Sequence, residues 1–136
     1  MLTVTRTIHF CAAHRLYNKN WSEEKNREIF GKCSNKGGHG HNYTLKVTVT
    51  GKLDEESGMI VNVTELRDIL KGEIFDKLDH KNLNKELEFL DGKISTMENI
   101  ILKIAEILKT PLKNAGVKLV KLELNESDKN SVTLEL

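Results

Sequence analysis

A chain of 136 residues with a net charge of +1, from 21 basic and 20 acidic residues, is long enough for one domain, and we expect residues 1–136 to form it. Balanced charge and only 5% aromatic residues argue against nucleic acid or an anionic membrane as a partner. No export signal or membrane-spanning run is recognised, so we expect a cytoplasmic protein in which Cys11 and Cys33 are free thiols.

The first predicted element is a strand over residues 2–11, where apolar and polar side chains alternate and only Arg6 interrupts the apolar side. A long excursion over residues 12–38 follows, with a short charged helix predicted from Ser22 to Phe30. The excursion ends in a segment rich in glycine and asparagine. Loops of this length between strands are usually functional, and glycines allow close approach of the backbone to a ligand.

The second predicted strand, residues 39–50, begins with two histidines, His39 and His41. They project from the same face because side chains alternate along a strand, so both imidazoles can reach one metal ion. His14, in a neighbouring segment, is a plausible third ligand. Three imidazole nitrogens with an open fourth position are typical of a zinc ion (Zn²⁺) that polarises a substrate oxygen.

Cys33 precedes His39 by a gap of five residues and allows three interpretations. Beside zinc and imidazole its pKa should fall, which would make the thiolate a base for proton transfer. Alternatively, Cys33 is the fourth ligand of a structural zinc ion, and the fold is a binding module without catalysis. An exposed thiol without a role is the third interpretation.

A short extended piece over residues 58–62 is predicted to lead into an amphipathic helix, with Thr64 as N-cap and an end near Lys77. Asp79 and His80 follow in a polar corner. A turn and the helix dipole explain both residues. A proton relay, in which the carboxylate orients the imidazole, is the less common alternative.

The second long helix is predicted to begin at a capping box that runs from Ser95 to Glu98. This start accounts for Thr96 and Glu98 without any ligand. Pro111 is predicted to end the helix near Lys109.

A hairpin made of residues 117–124 and 131–136 is predicted to close the chain. Glu126 in its turn is either a solvated acid or a carboxylate that accepts two hydrogen bonds from an aminopyrimidine-type ring. The order of elements predicts an α+β fold, a four-stranded antiparallel sheet with two helices packed on one face.

Taken together, these segments resemble the 6-pyruvoyltetrahydropterin synthase family, which includes the 6-carboxytetrahydropterin synthases. The specific motifs are Cys-x5-His-Gly-His-Asn-Tyr, from Cys33 to Tyr43, and Asp-His-Lys-Asn-Leu, from Asp79 to Leu83. The similarity covers essentially the whole chain. It implies the T-fold and a homohexamer built from two trimers.

The resemblance also implies roles for individual residues. The implied zinc ligands are His14, His39 and His41. The implied proton-transfer groups are Cys33 as catalytic base and Asp79 and His80 as relay partners, in an active site between subunits. The implied contacts to the substrate are Glu126 as anchor of the pterin ring, with Thr96 and Glu98 as further pocket residues.

For the family, the substrate is a small molecule, 7,8-dihydroneopterin triphosphate. The resemblance therefore implies a lyase that forms 6-pyruvoyltetrahydropterin and eliminates triphosphate, as in tetrahydrobiopterin biosynthesis. The alternative is a 6-carboxytetrahydropterin synthase of queuosine biosynthesis, which releases acetaldehyde and triphosphate. The gap between Cys33 and His39 favours the pyruvoyl type, whereas Ser34, Asn84 and Met97 depart from that type's usual residues.

Overall fold

A computed structural model of the chain describes residues 1–85 and 87–136. One sheet contains five strands: β1 (Thr3–His14), β2 (His39–Gly51), β3 (Lys81–Asn82), β4 (Val117–Asn125) and β5 (Ser131–Glu135). Their order across the sheet is β3-β1-β2-β4-β5. The β1–β2, β2–β4 and β4–β5 pairs are antiparallel, which confirms the long strands and the closing hairpin.

The expectation of a four-stranded, wholly antiparallel sheet is wrong in one respect. The short strand β3 lies parallel to β1, where Ala12 pairs with Lys81 and Ala13 with Asn82. This corner is held to β1 by backbone hydrogen bonds from His80 to Cys11 and from Leu83 to Ala13. A pairing of two residues is too short to produce an alternating pattern, so the sequence does not reveal it.

The described residues form five α-helices. They are α1 (Glu23–Phe30), α2 (Val63–Leu70), α3 (Asp76–Leu78), α4 (Leu87–Leu90) and α5 (Met97–Asn114). Helix α5 packs on β4 and β5, and α2 packs on β1 and on α5. The resulting two-layer α+β arrangement encloses a core of leucine, isoleucine and valine side chains. Within the described residues, no helix is both long and apolar enough to cross a bilayer.

The helix predicted from Thr64 to Lys77 is present with a different start and an interruption. Asn62 is its N-cap, because the Asn62 side chain accepts a hydrogen bond from the Thr64 backbone at 2.9 Å. One π-helical turn, Lys71–Phe75, then joins α2 to α3. Residues 58–62, predicted to be a short extended piece, lead into the helix without strand pairing, and the backbone of Asn62 is extended.

Helix α5 also differs from its prediction at both ends. Thr96 is its N-cap and accepts a hydrogen bond from the Asn99 backbone at 3.3 Å, so the predicted capping box is out of place by one residue. The helix continues past Pro111 to Asn114. Proline removes one backbone hydrogen bond, but the buried side chains of Leu108 and Leu112 hold the last turns on the core.

Candidate metal centre

Strand pairing brings the three histidines together at one end of the sheet. His14 pairs with His39 across the β1–β2 ladder, and His41 pairs with Ala12. All three side chains lie on the face that buries Tyr43 and Leu45 further along β2. Their ring centroids are 4.6 to 5.1 Å apart. The predicted alternation of β2 is therefore the reason that the imidazoles meet.

This cluster of His14, His39 and His41 has the geometry of a metal site. One ligand nitrogen of each histidine lies within 4.8 Å of the other two. In a tetrahedral site with bonds of about 2.1 Å, the ligand nitrogens are about 3.4 Å apart, so small side-chain shifts would bring the three to bonding distance of one ion. The Nε2 atoms of all three are buried and have no hydrogen-bond partner among the described residues. Unpartnered buried nitrogens are costly, and a metal ion would satisfy all three at once. Imidazole donors suit zinc and several other transition metals.

His14 is the most constrained ligand of the three. Its side chain is fully buried, and Nδ1–H donates a hydrogen bond of 2.7 Å to the main-chain carbonyl of Ser95. This bond selects the tautomer whose Nε2 lone pair is free for a metal. Burial lowers the pKa of His14 to about 4, against the opposing effect of the Ser95 carbonyl and with help from His39 and His41.

The pKa of His41 is also lowered, first by burial and then by His39, while the negative charge of Glu126 opposes the shift. Neutral imidazole is the form that binds a metal ion, so these environments prepare the site for one.

Glu126 comes directly after β4 and joins the cluster. Its carboxylate oxygens lie 3.5 Å from Nε2 of His41 and 3.9 Å from Nε2 of His14. The carboxylate is largely shielded from solvent. A carboxylate beside three imidazoles can bind either a cation or the N–H groups of a ligand.

The loop that carries Cys33 is attached to the residues after His14. The carbonyl of Cys33 accepts a hydrogen bond of 2.8 Å from the Leu16 backbone. Nε of Arg15 donates to the carbonyl of Ser34, also at 2.8 Å. Cys33 is half-buried and Cys11 is exposed, and both are free thiols as expected.

Asp79 and His80, which follow α3, form a second hydrogen-bonded group beside β1. The Asp79 carboxylate accepts from Nδ1 of His80 at 2.7 Å and from the backbone N–H of Cys11 at 2.9 Å. The Cys11 bond is the main cause that lowers the pKa of Asp79, followed by the bond from His80. The His80 side chain is 82% exposed, and no hydrogen bond joins this pair to Cys33 within the described part of one chain.

The start of α5 lies against the cluster through its main chain. Thr96 caps the helix, and Glu98 is exposed in the first turn. The sequence indicated a helix start here but not that the carbonyl of Ser95 would bind His14. Every residue has a main-chain carbonyl, so the sequence does not show which one will accept a hydrogen bond.

Gly38 is a further functional position, at the entrance to β2. It has a φ of +70°, and a Cβ atom there would lie 3.0 Å from the carbonyl oxygen of His14. Glycine is therefore required where the two ligand-bearing segments approach each other. The glycine-rich run before His39 was the visible sign of this contact.

Comparison with known proteins identifies the family of the chain. The family model described as 6-pyruvoyl tetrahydropterin synthase matches residues 3–136. The chain belongs to this family. It is 44% identical over 129 residues to the 6-pyruvoyl tetrahydrobiopterin synthase of Pongo abelii, which covers 95% of this chain and 88% of that protein.

A solved 6-pyruvoyl tetrahydropterin synthase from Caenorhabditis elegans has the same fold, with a TM-score of 0.90 and 38% identity over 99% of this chain and 95% of that one. A putative 6-carboxy-5,6,7,8-tetrahydropterin synthase from Archaeoglobus fulgidus is more distant. It is 36% identical over 88 residues, 65% of this chain and 69% of that protein. These findings confirm the resemblance and place the chain nearer the pyruvoyl-type members than the carboxy-type one.

Proposed function

We propose that the chain is a 6-pyruvoyltetrahydropterin synthase, a lyase that converts 7,8-dihydroneopterin triphosphate to 6-pyruvoyltetrahydropterin and releases triphosphate. The observation that carries the proposal is the meeting of three unpartnered imidazole nitrogens with the carboxylate of Glu126 in one buried site. High identity to relatives with this name, over nearly the whole chain, supports the choice of reaction.

His14, His39 and His41 would hold a zinc ion. Their Nε2 atoms are buried and unpartnered, and the bond from His14 to Ser95 fixes one ring in the orientation that a metal needs. Bound there, zinc supplies Lewis acidity toward the hydroxyl groups of the substrate side chain.

Cys33 would act as the catalytic base. It is half-buried on a loop whose backbone accepts hydrogen bonds from Leu16 and Arg15, the residues that follow His14. Asp79 and His80 would exchange protons with it, because the carboxylate accepts from Nδ1 and orients the ring. Since they do not contact Cys33 within one chain, we propose that they serve the thiol of a neighbouring subunit.

Glu126 would anchor the pterin ring by accepting its N–H and amino hydrogens on two carboxylate oxygens. Thr96 and Glu98 at the start of α5 would be further contacts. Thr96 is next to Ser95, which already touches His14, so support for a pocket role is stronger for Thr96 than for the exposed Glu98.

Product analysis tests the reaction itself. Zinc-loaded protein incubated with 7,8-dihydroneopterin triphosphate should yield a pyruvoylpterin and triphosphate in mass spectra. A carboxypterin with acetaldehyde would instead assign the chain to the 6-carboxytetrahydropterin synthase reaction. No conversion by fully loaded protein would favour a non-catalytic zinc module.

Replacement of the thiols tests the base. Cys33→Ala should keep stoichiometric zinc and lose turnover, whereas Cys11→Ala, the matched control, should keep both. Near-native turnover by Cys33→Ala would contradict the assignment. In cobalt-substituted protein without substrate, a sulfur-to-cobalt charge-transfer band would show that Cys33 is a ligand instead.

Metal analysis of histidine variants tests the ligand set. His39→Ala should lose bound zinc, because two imidazoles cannot replace the three-nitrogen site. His9→Ala is the control, since His9 is exposed on β1 and contacts Thr44 rather than the cluster. Equal zinc content in both variants would rule out the site.

We also propose that residues 1–136 are one domain and that six copies assemble as two stacked trimers. Support comes from the sheet edges. Strand β3 pairs with β1 only at Ala12 and Ala13, and in the described structure β5 pairs only with β4, so both edges can accept a strand from another copy. Light scattering should give six times the 15.5 kDa chain mass.

A further inference from the structure

The inner face of β2 carries a phenol beside the histidine cluster. Tyr43 lies two residues beyond His41 and is 0% exposed. Its ring stacks on Phe10, with centroids 5.0 Å apart and an interplanar angle of 14°, and stands edge-on to His41 at 5.7 Å. This packing holds the ring in place, so the core determines where its hydroxyl group lies.

The hydroxyl oxygen of Tyr43 is buried without a hydrogen-bond partner among the residues that the structure describes. Such a group destabilises a folded chain, and phenylalanine would fill the same space without that effect. A phenol keeps its proton at neutral pH, so this hydroxyl group is available as a donor.

The sheet register relates the backbone positions of Glu126 and Tyr43. Thr44 pairs with Asn125 at the end of β4, so the next residue, Glu126, comes opposite Tyr43. Its carboxylate lies 3.5 Å from Nε2 of His41 and 3.9 Å from Nε2 of His14. Nε2 of His14 carries no hydrogen, because the proton of this ring is on Nδ1 and goes to Ser95. A nitrogen that binds a metal ion has no hydrogen either, so in a loaded centre neither imidazole can donate to Glu126.

We propose that Tyr43 is the positioning residue of Glu126: its hydroxyl donates a hydrogen bond to the carboxylate when the histidines hold a metal ion. The bond keeps the carboxylate oriented for the ring of the substrate, so this inference rests on the proposed role of Glu126. Each carboxylate oxygen accepts two hydrogen bonds, and the phenol and the ring can be bound together. Because Tyr43 does not touch the reacting atoms, it acts on ring binding and not on the chemical step.

Tyr43→Phe tests the proposal, since it removes the hydroxyl and keeps the ring. Pterin, the fluorescent parent ring compound, is titrated against zinc-loaded protein. We expect its Kd to rise about tenfold or more, as for loss of a hydrogen bond to a charged group. Zinc content should not change, and with substrate the KM should rise while kcat stays within about twofold.

Two controls separate this effect from a general one. Tyr17→Phe removes a phenol hydroxyl from a half-buried residue whose ring lies under Arg15, and it should leave the pterin Kd unchanged. Metal-free Tyr43→Phe should melt at the same or a higher temperature, because no hydrogen bond within the protein is lost. A clear fall in that melting temperature would assign the hydroxyl a structural role and overturn the proposal.

Glu126→Gln distinguishes failure of this inference from failure of the proposed function. If Glu126→Gln weakens pterin binding and Tyr43→Phe does not, the inference is overturned and the ring anchor stands. If neither variant weakens binding, Glu126 does not anchor the ring, and both the anchor and the inference are wrong.

Discussion

His14 differs from the other two candidate ligands because protein surrounds it on every side. Its Nδ1 is already bound to Ser95, whereas His39 and His41 are half-buried at the rim of the cluster. The ring of His14 is therefore oriented before any metal arrives. An ion that enters the site would meet one fixed nitrogen and two that adjust to it.

Burial of His14 has a consequence for stability against pH. Its pKa is about 4 in the folded chain, below the ordinary 6.5, so the unfolded chain binds more protons between these values. The free energy of unfolding of the metal-free protein should fall as pH drops from about 6.5 to about 4, by up to about 3 kcal/mol.

Urea titrations at several pH values, with a chelator and a fixed protein concentration, measure this slope. His14→Gln should make the slope shallower, because glutamine does not titrate, while the lowered pKa of His41 keeps part of it. His9→Gln should keep it, since His9 lies on the other face of β1. An unchanged slope in His14→Gln would assign the pH dependence to other groups.

The sequence predicts the three histidines as ligands but not the contact that orients His14, and the reason is physical. The spacing of His39 and His41 determines their common face, because strand periodicity is local. The contact from His14 to Ser95 joins residues 81 positions apart through a main-chain atom. Neither that pairing nor the burial of the Tyr43 hydroxyl can be calculated from residue types alone.

The junction between the glycine-rich loop and β2 is the element on which the site depends most. Gly38→Ala adds a Cβ atom 3.0 Å from the carbonyl oxygen of His14 at a φ of +70°. We expect it to destabilise the protein by about 1–3 kcal/mol and to weaken zinc binding, since the clash separates His14 from His39.

Gly37→Ala is the matched control for this junction. No atom lies within 4 Å of the added Cβ, and its φ is not in the left-handed region. Urea denaturation and zinc titration should therefore give values close to those of the parent. If Gly38→Ala behaved in the same way, the close approach of the two segments would not matter.

Helix starts were predicted near the right residue but with the wrong cap. At α2, both Asn62 and Thr64 are acceptable cap residues, and only the backbone conformation selects Asn62. Pro111 in α5 was predicted to end the helix, but buried leucines on either side outweighed the lost hydrogen bond. Local preference is decisive only where tertiary packing is weak.

The cap assignment at α2 can be measured directly. Asn62→Ala should lower the free energy of unfolding by about 1 kcal/mol, because the Thr64 backbone N–H loses its acceptor. Thr64→Ala should change it by less than about 0.5 kcal/mol, since alanine is favourable inside a helix. Equal losses would contradict the structure at this helix end.

At the scale of the whole molecule, the three histidines lie at one end of the apolar core and are not part of it. Apolar side chains from the sheet, α2 and α5 form one continuous core. Metal binding should therefore add to stability and not create the fold.

Chelation tests this independence. Removal of zinc should lower the melting temperature. The free energy of unfolding that is lost grows with the zinc concentration used and is about 2.7 kcal/mol at one hundred times Kd. Far-ultraviolet circular dichroism of the metal-free protein should still show its helices and sheet. Loss of that spectrum on chelation would identify the ion as structural, as in the non-catalytic alternative.

The acceptor that orients His14 belongs to the polypeptide backbone and not to a side chain. Small amino acids at position 95 supply the same carbonyl, provided that the following residue still caps α5. Large ones do not fit, because Ser95 is 1% exposed. During evolution, this contact is therefore constrained by the backbone conformation at the start of α5 more than by the side chain at position 95. Relatives could replace Ser95 by another small residue and keep the same ring orientation, although they would lose the hydrogen bond of 3.3 Å from its hydroxyl group to the carbonyl of Arg15.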